Sequence, residues 1–490
     1  MPIFAKFVAI DLGAESGRTM LGTFDGERLA LSELLRCPNV PVRVLDSLHW
    51  DVLRLFDDIQ RGLALAAREP GAEIAALGLD TWGVDFALLD ASGALLGNPY
   101  HYRDARTDGM LEEAFRVVPR EQIFAQTGVQ FMPLNTLYQL LAMQLRQPHV
   151  LAQAATLLLM PDLFNYWLTG RKVCEFTTAT TTQFYDPRAR AWAWPLLEAL
   201  GLPPGIFPEV VPPGTVIGPL LPAVAAETGL SVPLIAPACH DTGSAVAAVP
   251  AAPGGSAWIS SGTWSVLGAE VAAPVINATS LAYNFTNEGG ARGFRLCRNV
   301  MGLWLVQECR HTWATAGEDL EYEQLVELAR GAPAFGSMLD PDDDSFLHPG
   351  DMPGRIAAYC RRTAQAIPAD KGAFVRCALE GLALKYRVQL ERLETLLGAL
   401  VNTVHIIGGG ANNTLLCQFT ANATGKRVVA GPVEATALGN VLMQALALGH
   451  IGSLAEGQEL VRRSFAPAVY EPRDGAAWDE AYARFQNLLR

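Results

Sequence analysis

Two short turns rich in glycine and hydroxyl residues, set about half the chain apart, constrain this sequence most. The first lies in residues 7–21, where Phe7-Val8-Ala9-Ile10 leads into Asp11-Leu12-Gly13-Ala14-Glu15-Ser16-Gly17-Arg18 and then into a second apolar run. The second lies in residues 257–267, with Ser260-Ser261-Gly262-Thr263-Trp264-Ser265 between apolar flanks. Each reads as strand, tight turn, strand, and small tip residues let backbone N–H groups face an anion. One such hairpin is ordinary. Two, each opening half of a 490-residue chain, predict two similar lobes that grip one phosphate chain from opposite sides.

A chain of 490 residues exceeds a single core and predicts two or three domains. The formal net charge of -13, without a Lys/Arg stripe, argues against a nucleic-acid partner. No apolar run reaches the ~18 residues of a membrane span, and no signal-peptide core precedes Asp11, so the expectation is a cytoplasmic protein. The eight cysteines form no Cys-x2-Cys pair, which speaks against zinc or thioredoxin-type chemistry. Cys360 and Cys377 are expected as thiols, since disulfides are rare in that compartment.

Along the chain, residues 74–80 read as a buried strand that empties into Thr81-Trp82-Gly83-Val84-Asp85. Residues 202–219 are rich in proline and glycine and predict an extended surface connector. An apolar strand at 232–236 runs into Cys239-His240-Asp241-Thr242, followed by a helix of small residues. Residues 250–255 suit a seam between lobes. The clearest helix spans 374–397, whose apolar positions recur in steps of three and four. Gly408-Gly409-Gly410 follows a strand and precedes a helix at 414–424, with Asn412 or Asn413 as N-cap and Gly425 as stop. The 435–448 segment predicts a buried helix, and the Asp342-Asp343-Asp344 run a solvated loop.

Phosphoryl transfer to a hydroxyl needs phosphate-facing donors, a divalent metal, a base and an oriented acceptor. The sequence holds neither a P-loop nor a Gly-x-Gly-x-x-Gly fingerprint after a strand, which leaves the paired hairpins and the triple-glycine turn for ATP. Asp241 is the candidate base, at a strand's C-terminal end where α/β folds bind ligands. Helix capping is its competing role. His240 alone reads as a hydrogen-bonded structural residue. Trp82 and Asp85 suit either a sugar, whose C–H faces stack on aromatics, or a core plug. Tyr102-Arg103-Asp104 and Arg106 line the same region or make surface ion pairs.

Residues 11–18 resemble the first phosphate motif of the FGGY carbohydrate kinases, which share the actin and hexokinase ATPase fold. Residues 260–265 are similar to that family's second phosphate motif, and Ile407-Gly408-Gly409-Gly410 with Asn413 to its adenosine motif. Thr81 to Phe86, Tyr102-Arg103-Asp104, Ala179 to Thr182, His240-Asp241-Thr242, Asn287 to Gly290, Asn299 to Trp304 and Gly431 to Ala435 follow in the family's order. The likeness covers residues 7 to 465, and its spacing is nearest to members acting on L-rhamnulose.

The resemblance implies an α/β fold of two actin-like (ribonuclease H-like) lobes with a cleft between them. It assigns 1–250 to sugar binding and 251–490 to nucleotide binding, with the last helices able to pack back on the first lobe. It implies ATP contacts at Ala14, Glu15, Ser16, Gly17, Arg18, Thr263, Gln307 and Gly409. Sugar contacts fall at Gly83, His240, Asp241, Thr242 and Asn299. Asp241 would accept the proton, and Asp11 would hold Mg²⁺ through water. The expected reaction is ATP-dependent phosphorylation of L-rhamnulose at its C1 hydroxyl by a monomer or weak homodimer. L-fuculose, xylulose and glycerol are the alternative acceptors.

Overall fold

The computed structural model describes residues 5–250 and 255–489. The chain divides into two compact units. The first comprises Met1–Pro250, Glu270–Leu296 and Ala435–Phe465; the second comprises Ala251–Ala269, Cys297–Glu434 and Ala466–Arg490. The expected seam at 250–255 falls largely on residues 251–254, outside the described residues.

In the first unit, β1 (Ala5–Leu12), β2 (Ser16–Phe24) and β3 (Leu29–Pro38) form an antiparallel meander. On the other side of β1 lies β4 (Ile74–Thr81), parallel to it. Then come β6 (Pro233–Ala236), parallel to β4, and β5 (Thr215–Pro219), antiparallel to β6. The order is therefore β5-β6-β4-β1-β2-β3. All eight residues of β1 are buried, as an apolar run covered on both faces requires. The expected 202–219 connector is extended only in part. Pro204–Ile206 makes a 3-10 turn, and Thr215–Pro219 is a sheet strand. Proline is tolerated there because an edge strand lacks one neighbour.

In the second unit, β7 (Ser256–Ser261) pairs antiparallel with β8 (Trp264–Val271) and parallel with β10 (Thr403–Ile407). β10 pairs parallel with β11 (Arg427–Ala430), and β11 antiparallel with β12 (Ala468–Tyr470). Beyond β8 lies β9 (Phe294–Met301), most of it in this unit. Both sheets include a hairpin and a third strand on one side of a central strand, where the second sheet continues by one more strand. On the other side stand two parallel strands and an antiparallel edge.

Turn and helix chemistry account for the elements flanking these sheets. α1 (Val52–Ala66) is capped by Asp51, whose side chain accepts from Arg54 N–H. α3 (Lys371–Leu397) starts three residues earlier than the periodicity predicts, because the Asp370 side chain caps it by accepting from Ala373 N–H. Asn413 caps α4 (Thr414–Thr424) through Leu416 N–H, and Gly425 ends it in the left-handed conformation. α5 (Ala435–Ala447) belongs to the first unit, where it packs on α2 (Asp241–Ala247). Glycine at 439 permits that approach, since a Cβ there would stand 1.7 Å from Ser244 O. The Asp342 run departs from the expected solvated loop. Asp342 accepts from Met301 N–H at 2.9 Å and pairs with Lys385 at 3.1 Å, so long-range partners hold it.

Candidate active site

Three parallel strands of the first unit end on the same side, as parallel pairing dictates, and each delivers a carboxylate. Asp11 lies near the end of β1, directly opposite Asp80 on β4. Thr81 bridges to His240, which places Asp241 at the next strand end. Ligands bind at such C-terminal ends in α/β sheets. Asp80 is fully buried, and burial, followed by the charge of Asp11, pushes its carboxyl well above the usual range. Asn440 of α5 donates to Asp80 Oδ2 at 2.6 Å, and Gln444 donates to Val8 O at 2.9 Å. These bonds tie α5 to the two strands that carry the acidic residues.

The first hairpin is closed by charge. Its strands pair up to Leu12 and Gly17, leaving Gly13, Ala14, Glu15 and Ser16 at the tip, where Gly13 N–H donates to Ser16 O. Arg18 Nη2 meets Asp11 Oδ2 at 2.6 Å. Glu15, at the tip, is exposed. Asn39, which the sequence did not single out, accepts no part of the resemblance yet holds the tip. Its side chain donates to Gly13 O and its backbone N–H to Glu15 O, both at 2.9 Å.

Asp241 is the first residue of α2, one past the N-cap position, which His240 occupies without a side-chain capping bond. Its side chain is 28% exposed and accepts from Thr242 N–H at 2.5 Å. His240 Nε2 lies 3.4 Å from Asp241 Oδ1. On the other ring edge, Arg295 Nη2 lies 3.0 Å from His240 Nδ1. The same Nδ1 lies 3.3 Å from Glu288 Oε2, so a buried donor and a buried carboxylate both hold this ring edge while Nε2 faces Asp241. Arg295 is fully buried and also pairs with Glu288 at 3.1 Å. Neither Arg295 nor its pairing has a local sequence signal; a charged residue in an apolar strand is the only hint.

Gly83 sits against the same histidine, since a Cβ there would lie 3.3 Å from His240 Nε2 and from Thr181. Gly83, His240, Asp241 and Thr242 therefore come together in the first unit. Trp82 is different. It is 5% exposed, its ring centroid lies 4.2 Å from that of Trp50, and its indole N–H donates to Asp85 at 3.0 Å. That is the core role. Asp85 also accepts from Trp50, Tyr102 N–H and Gln139. Burial still raises its carboxyl to about 6. Arg103 and Asp104 are buried, and Arg106 donates to Gln139 and lies over the Tyr100 ring, so this stretch is not a surface ion-pair loop.

The second unit repeats the strand-end arrangement with neutral groups. β7, β10 and β11 are parallel and end at Ser261, Ile407 and Ala430. Gly262 N–H donates to Trp264 O, closing the hairpin, and Thr263 O accepts from Gly302 N–H at 3.1 Å. Gln307 lies on the helix Trp304–Thr315, and Asn299 on β9. Tyr386 of α3 meets Ser265 Oγ at 2.5 Å beneath the hairpin. Gly409 is exposed and opens a short 3-10 helix, Gly409–Asn412. Gly410 is packed instead, since a Cβ there would stand 2.1 Å from Ser261 Oγ. Thr263, Gln307, Asn299 and Gly409 thus all lie in the second unit, and the first hairpin and the His240 cluster in the first.

All eight cysteines are buried, and none is joined in a disulfide. Among the described residues no helix is long and apolar enough to cross a membrane, and no group of three or more His, Cys, Asp or Glu is arranged to hold a metal ion.

Comparison with known proteins fits this geometry. The N-terminal domain of the FGGY family of carbohydrate kinases matches residues 6–248, and its C-terminal domain residues 257–448. A rhamnulokinase of Bacteroides thetaiotaomicron is 46% identical over 99% of this chain and 99% of its own. One from Oceanobacillus iheyensis is 40% identical over 94% of this chain and 97% of its own. Among solved structures, a gluconate kinase and a xylulose kinase from Lactobacillus acidophilus each superpose with a TM-score of 0.80 at 18% identity. Each covers 99% of this chain, and 97% and 98% respectively of the solved one. With both domain descriptions matched and full-length relatives at this identity, the chain belongs to the FGGY family of carbohydrate kinases.

Proposed function

We propose that this chain transfers the terminal phosphoryl group of ATP to the C1 hydroxyl of L-rhamnulose, giving L-rhamnulose 1-phosphate and ADP. The substrate rests on the two relatives just described, both rhamnulokinases matched over nearly their full length. The chemistry rests on one observation above others: Asp241 is partly exposed at the start of α2, with His240 oriented beside it by a buried arginine.

In this reading Asp241 accepts the proton of the C1 hydroxyl as that oxygen attacks the γ-phosphorus. General-base assistance of this kind supplies about 10²–10⁴ in rate. Gly83, His240, Thr242 and Asn299 orient the sugar, which holds the attacking oxygen in line and lowers the entropic part of the barrier. The tip of the first hairpin, Ala14 to Arg18, together with Thr263, Gln307 and Gly409, holds ATP. Hairpin amides stabilise charge on the phosphoryl oxygens.

Magnesium is held in such sites by one or two carboxylates together with substrate phosphates and waters, not by a protein cage. Asp11, across from the buried Asp80, offers that donor chemistry. When bound, Mg²⁺ would neutralise phosphate charge during transfer. Asp11 is the residue that would hold it, through water. The protein would act in the cytoplasm, as a monomer or weak homodimer. Its eight buried thiols suit a reducing compartment.

The test is ADP release measured side by side with L-rhamnulose, L-fuculose, xylulose and glycerol. The largest kcat/KM is expected with L-rhamnulose, and preference for another acceptor overturns the substrate. Asp241→Asn is expected to bind ATP normally and to lose at least about a hundredfold in kcat. Normal turnover in that variant removes Asp241 from the chemistry.

A further inference from the structure

We infer that Glu175, assigned no part above, is a positioning residue that sets the two peptide groups immediately preceding Asp241. This rests on the reading of Asp241 as the base.

Glu175 is completely buried, yet among the described residues it makes no ion pair. Its oxygen Oε2 instead collects backbone and hydroxyl donors. Thr177 N–H donates to it at 2.9 Å, the Thr177 hydroxyl donates as well, and Thr178 N–H lies at 3.4 Å. Those bonds cap the short helix Phe176–Ala179. The fourth donor comes from far along the chain: Cys239 N–H, at 3.0 Å. The next amide, His240 N–H, donates to Thr177 Oγ1 at 3.0 Å. The hydroxyl that receives it is itself oriented by Glu175. Two successive amides, 239 and 240, are thereby fixed by one carboxylate and its neighbour. The following residue is Asp241.

Capping a four-residue helix does not require a fully buried carboxylate, because serine or threonine does so without the cost of burying a charge. What a carboxylate oxygen adds is the capacity to accept several donors at once, including one contributed by a different strand end. The remaining oxygen, Oε1, is buried without a hydrogen-bond partner, as is Oδ2 of Asp162, whose other oxygen accepts from Glu175 N–H at 3.1 Å. The groups facing Glu175 are Asp162, Cys174 and Cys239, none of them cationic. Burial raises the carboxyl to about 7, which the four donors oppose.

Displacement of a reacting group by about 1 Å costs as much as a hundredfold in rate. Glu175→Ala is therefore expected to lower kcat about 10- to 100-fold with the KM for ATP unchanged. Glu175→Gln, which keeps one acceptor oxygen, is expected to restore kcat to within about threefold of the natural enzyme. Thr177→Val supplies a second arm should Glu175→Ala fail to fold. It removes the acceptor for His240 N–H and is expected to lower kcat about tenfold, with Thr177→Ser restoring it. Rates are expressed per folded enzyme, by titrating ATP binding, so that lost stability alone does not count. Folded Glu175→Ala or Thr177→Val with kcat within threefold of normal overturns the inference, as does failure of both conservative variants to restore turnover. Asp241→Asn run in parallel separates the two readings. If it turns over normally, the base assignment falls and this inference with it. If it is inactive while the Ala and Val variants are unimpaired, only the positioning role falls.

Discussion

The two hairpins share a strand topology and differ in what holds them. In the first unit the hairpin is braced by charge: Arg18 on Asp11, with Asp80 buried across the parallel strand. In the second it is braced by neutral hydroxyls and close backbone packing, with Tyr386 on Ser265 and Gly410 against Ser261. The same local shape is therefore reached by two routes with different responses to pH and salt. Ion pairs weaken with salt, and buried carboxyls couple folding to protons; hydroxyl bonds and steric fit respond to neither. The first unit carries the acidic chemistry, and the second offers amides in a neutral setting.

The largest effect that would sharpen this contrast is one of pH. Burial raises Glu175 from 4.5 to about 7. Between those values the folded chain holds a proton that the unfolded chain has released, so stability falls as pH rises through the window and is unaffected by this group below it. The loss is on the order of 3 kcal/mol at ~1.36 kcal/mol per unit. Urea unfolding at pH 4.5 and 7 measures it, and Glu175→Gln should remove this share. A flat profile would break the first half of the comparison.

Gly410→Val comes next. Its backbone is ordinary, but a Cβ would lie 2.1 Å from Ser261 Oγ and 3.0 Å from Ser261 O. Overpacking of this sort costs about 2–3 kcal/mol. The cost should be the same at low and high salt. Arg18→Ala should cost about 1–2 kcal/mol, because it strands a buried carboxylate whose partner is one-fifth exposed. Here the difference from the natural chain should shrink in high salt. Salt dependence in the glycine variant, or its lack in the arginine variant, would break the contrast. Tyr386→Phe is the smallest, at about 1 kcal/mol for one hydrogen bond, and should be insensitive to salt and pH.

Much of what positions the site was legible as local chemistry. The strand-turn-strand pattern at 7–21, an asparagine cap at 412 or 413, which the structure places at Asn413, the Gly425 stop and the buried helix from Ala435 all depend on residues within a few positions of one another. Other features were not legible, for a common reason. Asn39 reaches back 26 residues to Gly13 O. Arg295 orients His240 across 55 residues, and Cys239 donates to Glu175 across 64. Asp342 looked like a solvated run because its partners, Met301 and Lys385, are remote in the chain. In sequence Trp82 suits a sugar platform or a core plug alike, and the remote Trp50 packed against it decides for the core.

By itself, then, the sequence determined the kind of elements, their turns and the motif order that marks a carbohydrate kinase, because propensity, capping and periodicity act over one or two turns of chain. Only the tertiary structure decided which buried polar groups satisfy one another, that His240 and not Asp241 stands at the N-cap position of α2, and that two amides before Asp241 rest on Glu175 and its neighbour Thr177. Those choices belong to folding as a whole: a buried donor must find an acceptor wherever the fold brings one within about 3 Å, and sequence distance does not limit that search.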